Sequence, residues 1–114
     1  LKQDANGRSN FIIFGTADYG DEITRDGGSL TDSIMVVSVD QTKKDAYLLN
    51  IPRDFWVEYE QQCFVGDFGK INAAYACASN NGEDPAAGSA ALQRKVGEIT
   101  GLDIHYTMQI NFSA

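Results

Sequence analysis

The fold class of this chain is decided by the run NFIIFG at residues 10–15. The run is continuously apolar, mixes aromatic with β-branched side chains, and ends at a glycine. A short apolar run of this kind is typical of a strand that is buried on both faces in the middle of an α/β sheet. The sequence therefore predicts a central strand here, and neighbouring strands are expected on either side of it.

Two further strands are predicted at residues 33–39 and 46–51. The six polar residues between them are too few for a crossover helix, so we expect an antiparallel hairpin. Pro52 cannot donate a ladder hydrogen bond and should interrupt the third strand. The aromatic residues 55–59 are expected to resume as an exposed strand.

Two helices and a last strand complete the pattern. Residues 70–78 suit a short helix. A second helix is predicted to begin at Pro85, which Asp84 caps, and to stop at Gly101. Residues 106–112 alternate and predict a final strand. The order β-β-β-α-α-β indicates an α/β fold, a mixed β-sheet with flanking helices.

Length and charge narrow the class of protein. The 114 residues suit one domain or part of one. Nine Lys+Arg against 16 Asp+Glu give a net charge of -7, which argues against a nucleic-acid surface. No apolar run approaches the ~18 residues of a membrane span. The polar residues 1–9 are interpreted as a linker leading into the domain.

Acidic residues bracket a glycine-rich loop at residues 18–29. Asp18 follows the first strand and Asp32 precedes the second, with Asp21 and Glu22 between them. If the two strands are neighbours, both outer carboxylates lie at the same edge of the sheet. Carboxylates at one rim suit Mg²⁺, which takes one or two of them plus water and phosphate oxygens. The alternative is a loop of solvated acidic residues.

Two cationic residues lie at the predicted ends of secondary-structure elements. Arg53 follows the third strand, and strand ends are where α/β proteins place ligand groups; a guanidinium suits bidentate phosphate contact. Lys70 stands at a predicted helix start, where a cation is unfavourable unless an anion lies nearby. The alternatives are an ion pair of Arg53 with Asp54 and of Lys70 with Asp67.

Other kinds of site are absent from the sequence. No phosphate-binding P-loop and no dinucleotide fingerprint occurs. His105 is the only histidine, and its apolar flanks favour a packed strand position over catalysis. With Cys63 and Cys77 it makes too few ligands for zinc. The two cysteines are either buried thiols or, in a secreted protein, a disulfide.

The order of several motifs resembles the LytR-CpsA-Psr family of cell-wall glycopolymer ligases. The motifs are TDSIMVVSVD at 31–40, LNIPRD at 49–54 and KINAAYA at 70–76. The resemblance implies an α-β-α domain of which residues 10–114 form the N-terminal part. It also implies a membrane anchor in a segment outside this chain and a domain outside the cytoplasmic membrane.

The resemblance further implies a Mg²⁺-dependent transfer of teichoic acid, capsular or similar polymers from a polyprenyl-diphosphate carrier to peptidoglycan. Asp18 and Asp32 match aspartates that organise Mg²⁺, while Arg53 and Lys70 match cations that hold the phosphates. Asp32 is also a candidate for deprotonating the attacking hydroxyl. Phosphoryl transfer depends mainly on such charge neutralisation and positioning.

Two positions depart from the family pattern. Leu30 stands where the family usually has arginine, and Arg25 is the candidate to replace it at the diphosphate. The segment from Gly15 to Asp18 is one residue longer than the family's usual spacing, so Asp21 is the alternative to Asp18. The arginine-rich second half of the family site lies outside this chain, and we expect the chain alone to have little or no transferase activity.

The family's extracytoplasmic address favours a Cys63–Cys77 disulfide over two free thiols. Two other functions stay open, a non-catalytic module that binds lipid-linked or wall polymers and a transcriptional attenuator related to the cell envelope. The acidic charge and the lack of a helix-turn-helix pattern oppose direct DNA binding.

Overall fold

The structure is a computed structural model that describes residues 1–18 and 30–113, with side chains for residues 1–16 and 30–110. In chain order its elements are β1 (Ser9–Asp18), β2 (Thr31–Asp40), β3 (Asp45–Ile51), β4 (Trp56–Cys63), β5 (Gly66–Lys70), a 3-10 turn (Ile71–Ala73), α1 (Ala74–Ala78), α2 (Pro85–Thr100) and β6 (Tyr106–Ser113).

The main sheet has four strands in the order β3-β2-β1-β6. β1 pairs antiparallel with β2 and parallel with β6, and β2 pairs antiparallel with β3. The predicted mixed sheet, the central place of the first strand and the β2–β3 hairpin are therefore confirmed. The parallel β1–β6 pair requires a crossover connection, and the two helices provide it.

One face of the sheet holds the hydrophobic core. Ile12 and Phe14 of β1 point to this face and are fully buried. From the helical side, Leu92 and Val96 of α2 are buried four residues apart, on one side of the helix. The ring of Tyr75 in α1 lies 5.3 Å from that of Phe14. Apolar burial of this kind provides most of the stability of a small domain.

The other face of the sheet differs from the expectation that β1 is buried on both sides. Phe11 and Ile13, which alternate with the core residues, are only partly buried. Their neighbours on this face include Leu48 and Met108, which are 65% and 58% exposed. The reason is that the described helices pack against the opposite face.

Both ends of α2 follow the sequence signals. Asp84 Oδ1 accepts a hydrogen bond from the Ala87 amide at 3.2 Å, and Pro85 is the first helical residue. Gly101 has a φ of 73°, and its amide donates to the Gly97 carbonyl at 2.8 Å. This helix was predicted correctly because its caps and its apolar spacing are local features.

A second hairpin, β4–β5, was only half predicted. The exposed strand after Pro52 is confirmed as β4, whereas β5 occupies residues that showed no strand pattern. Gly69 of β5 has room only for hydrogen, since a Cβ there would lie 2.5 Å from Tyr59 Oη. Two glycines in this strand lower its intrinsic β propensity, and the pairing with β4 overrides that preference.

The predicted helix at residues 70–78 is corrected accordingly. Lys70 is the last residue of β5 and has extended backbone angles (φ -70°, ψ 143°). A 3-10 turn and the five-residue α1 follow it. Lys70 therefore does not lie at the N-terminus of a helix, and its charge does not oppose a helix dipole.

The expected disulfide joins Cys63, at the end of β4, to Cys77 in α1, with Cα atoms 5.3 Å apart. It fastens the second hairpin to the helical segment that follows Lys70. Within the described residues no helix is long and apolar enough to cross a membrane.

Candidate functional site

The candidate site lies where β1 and β6 end, β2 begins and β3 ends. Asp32 is the second residue of β2, and Arg53 follows the last residue of β3 by two positions. Register between the two strands brings these residues to the same edge, with Arg53 Nη1 3.5 Å from Asp32 Oδ1. Asp18 ends β1 at this edge, where its backbone pairs with Ser113.

Lys70 reaches the same edge from the second hairpin. Its Nζ lies 3.3 Å from Asp54 Oδ1, and Asp54 directly follows Arg53. The Asn72 amide donates to the Arg53 carbonyl at 3.1 Å, and the Ile71 amide donates to the Phe55 carbonyl at 2.7 Å. These backbone bonds hold the two cation-bearing segments side by side.

The guanidinium of Arg53 is far less engaged than that of Arg94. Arg94 donates two hydrogen bonds of 2.8 Å to the two carboxylate oxygens of Glu60. Through these bonds Arg94 lowers the pKa of Glu60, and Glu60 raises the pKa of Arg94. Arg53 has a single contact at 3.5 Å within the described chain, so most of its donors stay available to a ligand.

An apolar cavity of about 370 Å³ adjoins Lys70. Its walls come mainly from the second hairpin, whose exposed aromatic side chains face it. The residues lining it include Leu30, Trp56, Phe64, Phe68 and Asn72. The site thus combines cations at its rim with an apolar compartment next to them.

One buried polar atom near the rim has no partner in the described part of the chain. Thr31, next to Asp32, is fully buried, and its Oγ1 makes no hydrogen bond there. A buried hydroxyl without a partner is costly, but Asn10 Oδ1 at the opposite end of the sheet is also unpartnered among the described residues, so this atom alone does not mark a binding site.

The fit of Mg²⁺ can be judged from the donors. Within the described side chains, no three of His, Cys, Asp and Glu gather into a site that holds a metal by itself. Mg²⁺ needs only one or two carboxylates when phosphate oxygens and water complete its shell. Asp32 offers one carboxylate, which is 40% exposed, and the backbone of Asp18 ends at the same edge. These donors fit a cation that arrives with a phosphate ligand.

Sequence comparison gives the family. The sequence model of the LytR-CpsA-Psr family matches residues 1–114, the whole chain. The chain belongs to the LytR-CpsA-Psr family. None of the curated proteins matches it.

Solved structures resemble this LytR-CpsA-Psr chain in fold. TagV of Bacillus subtilis is 25% identical, with a TM-score of 0.63 over 96% of this chain and 37% of TagV. Protein gbs0355 of Streptococcus agalactiae is 21% identical (TM-score 0.66, 93% and 34% covered), and YvhJ of B. subtilis, called a transcriptional regulator, is 18% identical (TM-score 0.60, 96% and 41% covered). The chain thus spans about two fifths or less of these proteins.

Among the site residues expected in this LytR-CpsA-Psr chain, Asp32, Arg53 and Lys70 come together at one edge of the sheet. The Asp18 side chain lies outside the described residues, as do Asp21, Glu22 and Arg25 entirely. Whether any of these residues binds substrate or metal stays a prediction.

The ion pairs differ from the alternatives drawn from the sequence. Arg53 pairs with Asp32 and not with Asp54, while Lys70 pairs with Asp54 and not with Asp67. Sequence neighbours suggested the other partners, and no local signal indicated the crossed arrangement. It arises because the β2–β3 register places Arg53 beside Asp32, while the turn after β3 packs against the end of β5 and places Asp54 beside Lys70.

His105 lies at the opposite end of the sheet, in a packed position as expected. Its Nδ1 accepts a hydrogen bond from the Asn10 amide at 3.0 Å, and its own amide donates to the Asn10 carbonyl at 2.9 Å. The histidine continues the β1–β6 pairing just before β6 begins.

Proposed function

We propose that this chain forms part of the site of an extracytoplasmic, Mg²⁺-dependent phosphotransferase. The enzyme attaches glycopolymers from a polyprenyl-diphosphate carrier to peptidoglycan. The observation that carries the proposal is the meeting of Asp32, Arg53 and Lys70 beside an apolar cavity. A ligand with a charged diphosphate and an apolar tail matches both parts.

The rim suits the diphosphate. Arg53 keeps free donors for bidentate contact with phosphate oxygens, and Lys70 adds a second, more mobile cation. Asp32, with Asp18, would hold Mg²⁺, which supplies neutralisation of the charge that develops on the phosphate oxygens. Asp32 would then exchange its contact with Arg53 for the metal, leaving Arg53 to the ligand.

The proposed reaction exchanges one phosphorus–oxygen bond for another. The acceptor hydroxyl oxygen of peptidoglycan bonds to the phosphorus that carries the glycopolymer. The bond from that phosphorus to the bridging oxygen breaks, and the lipid leaves as a monophosphate. The hydroxyl proton passes to a carboxylate, for which Asp32 is the candidate.

The apolar cavity suits the lipid part of the carrier. Its aromatic walls are half exposed to water, so covering them with an isoprenoid chain is favourable by about 25 cal/mol per Å². Lys70 lines the same cavity and would mark the end nearest the phosphates.

Two observations support the cellular setting. The LytR-CpsA-Psr family is associated with the cell envelope and with cell-wall glycopolymers. The Cys63–Cys77 disulfide suits an oxidising, extracytoplasmic compartment. Attachment to the membrane through a segment outside these residues belongs to the same proposal.

Calorimetric titration of the chain with geranyl diphosphate and Mg²⁺ tests the site. We expect Arg53→Ala and Lys70→Ala each to weaken binding about tenfold, since each removes a charge-assisted contact. Lys43→Ala removes an exposed cation from the turn at the opposite end of the sheet and should leave binding unchanged. Equal weakening by all three variants, or no binding by any folded form, would refute the site.

A non-catalytic binding module is the second candidate, because Leu30 replaces the expected arginine and packs partly buried against the core. The test requires this segment within a complete family domain, with lipid-linked polymer as donor. An enzyme loses product formation in Arg53→Ala even at saturating donor, whereas a binding module forms no product before or after the substitution and only loses affinity.

A further inference from the structure

Asp54 contacts Lys70 of the candidate site, a partner that the local sequence did not indicate. It lies in the turn after β3, where the Phe55 amide donates to the Pro52 carbonyl at 3.0 Å. Across this turn its carboxylate contacts Lys70 Nζ at 3.3 Å. Both side chains are more than half exposed, so the pair contributes little to stability.

The backbone fixes where this pair forms. Hydrogen bonds from the amides of Ile71 and Asn72 join the start of the 3-10 turn to Phe55 and Arg53. The Tyr59 hydroxyl donates to the Lys70 carbonyl at 2.5 Å and holds the end of β5 from the other side. The backbone of Lys70 is therefore held in place, and the direction of its ammonium group depends on the carboxylate that it contacts.

The charges of the rim cancel within the described side chains. Asp32 and Asp54 carry two negative charges, and Arg53 and Lys70 carry two positive charges. An anion with two or more charges therefore meets no net attraction from these four groups. A divalent cation bound to the anion reduces the negative charge of the ligand by two.

We propose that Asp54 is a positioning and selectivity residue that competes with phosphate for Lys70. This inference rests on the proposed diphosphate site and adds to it. The carboxylate holds the ammonium at the rim while no ligand is bound and is displaced when a phosphate oxygen takes its place. A metal-free diphosphate relies on Lys70 for charge neutralisation more than a metal-bound one does, so competition by Asp54 weakens the metal-free form more and the metal-bound form binds in preference.

The test uses calorimetric titration of the 114-residue chain with inorganic diphosphate, with and without Mg²⁺, at low salt. Asp54→Asn is expected to raise the affinity for metal-free diphosphate about fivefold, the range of one exposed ion pair. The gain with Mg²⁺ should be smaller, so the preference for the metal-bound form decreases. Asp54→Glu keeps the carboxylate and should retain the preference of the unmodified chain.

Asp67→Asn is the matched control. Asp67 lies on β5 three residues before Lys70, carries the same charge, and is exposed without an ion-pair partner in the described chain. It should leave both affinities unchanged. A double-mutant cycle adds Lys70→Gln, in which background Asp54→Asn should no longer raise the affinity, because the competition acts through Lys70.

Three outcomes overturn the inference. In the first, Asp54→Asn behaves like Asp67→Asn under both conditions. In the second, its gain persists in the Lys70→Gln background, which indicates direct repulsion of the anion. Both leave the proposed function intact, because the unmodified chain still binds diphosphate. In the third, neither the unmodified chain nor Asp54→Asn binds diphosphate although circular dichroism shows both folded, and the proposed function fails as well.

Discussion

The two ends of the four-stranded sheet use charged and polar side chains in opposite ways. At the end where β1 and β6 begin, here called the closed end, Arg8, Asn10, Ser38, Asp45 and His105 bond to one another or to backbone groups. At the candidate site, here called the open end, Asp32, Arg53, Asp54 and Lys70 make two long contacts of 3.5 and 3.3 Å between exposed groups.

Arg8 illustrates the closed end. Its Nε donates to Ser38 Oγ at 2.8 Å, and its Nη2 lies 2.8 Å from Asp45 Oδ1. The guanidinium carbon also lies 4.8 Å from the centre of the Tyr47 ring. These three contacts hold one side chain, which leaves it little capacity to bind a ligand.

Asn10 is the centre of the same end. It is fully buried, and its Nδ2 donates to Asp4 Oδ2 at 3.0 Å and to the Asp103 carbonyl at 2.8 Å. Through these bonds residues before β1 and after α2 are joined to the sheet. The difference between the ends shows that charged residues alone do not mark a binding site. The open end is distinguished by hydrogen-bond donors that have no partner in the described chain.

The largest expected effect concerns how the open end is held together. Since its ion pairs are weak, we expect the Cys63–Cys77 disulfide to contribute about 3 kcal/mol, by restricting the unfolded chain. Replacing both cysteines by alanine should lower the free energy of unfolding by that amount in urea titrations. Reduction of the unmodified chain provides the control. If the oxidised and reduced forms unfold at the same urea concentration, the disulfide does not stabilise the protein.

At the closed end, Asn10→Ala should lower the free energy of unfolding by about 2 kcal/mol, because it removes two partly buried hydrogen bonds and the packing of a fully buried side chain. Asn50→Ala is the control, because Asn50 is an exposed strand residue whose side chain has no hydrogen-bond partner in the described chain. It should change stability by less than about 0.5 kcal/mol. Similar losses for the two variants would remove the distinction between the ends.

The arginines provide a direct comparison. Arg8→Ala should cost about 1.5 kcal/mol of stability, since several charge-assisted contacts are lost. Arg53→Ala should change stability by less than about 0.5 kcal/mol, as is usual for exposed pairs. Thermal or urea unfolding of both variants measures this. A larger loss at Arg53 would identify its ion pair as structural and weaken its assignment to ligand binding.

The smallest effect appears only in acid. The Arg8 amide and the Asn10 side chain bond to the Asp4 carboxylate and lower its pKa below the ordinary 3.8. The folded state therefore binds this proton more weakly than the unfolded chain, so the stabilisation is complete above about pH 3.8 and is lost as the pH falls through the lowered pKa.

Melting temperatures measured from pH 2 to 6 test this sign. Asp4→Asn retains an acceptor but cannot titrate, so its melting temperature should fall less steeply in acid than that of the unmodified chain. Asp67→Asn serves as the control for loss of one surface carboxylate. A variant as acid-sensitive as the unmodified chain would contradict the role of Asp4.

Much of the fold was accessible from local patterns. β1, β2 and β3 have short apolar runs, and α2 has helical apolar spacing and its own caps, so neighbouring residues are enough to specify them. β5 was missed because its two glycines favour no strand by themselves; the close contact with Tyr59 explains Gly69, and a φ of 111° explains Gly66. The same limit applies to Lys70, whose predicted helix start is the end of that strand.

The candidate site divides in the same way. The sequence alone indicated that Asp32, Arg53 and Lys70 stand at boundaries between elements, but it placed Lys70 at a helix start where the structure has the end of β5. Only the tertiary structure decided which charges meet: the β2–β3 register brings Arg53 to Asp32, and packing of the turn after β3 against β5 brings Asp54 to Lys70. Ion-pair partners depend on distances through space, and residues far apart in the chain set those distances.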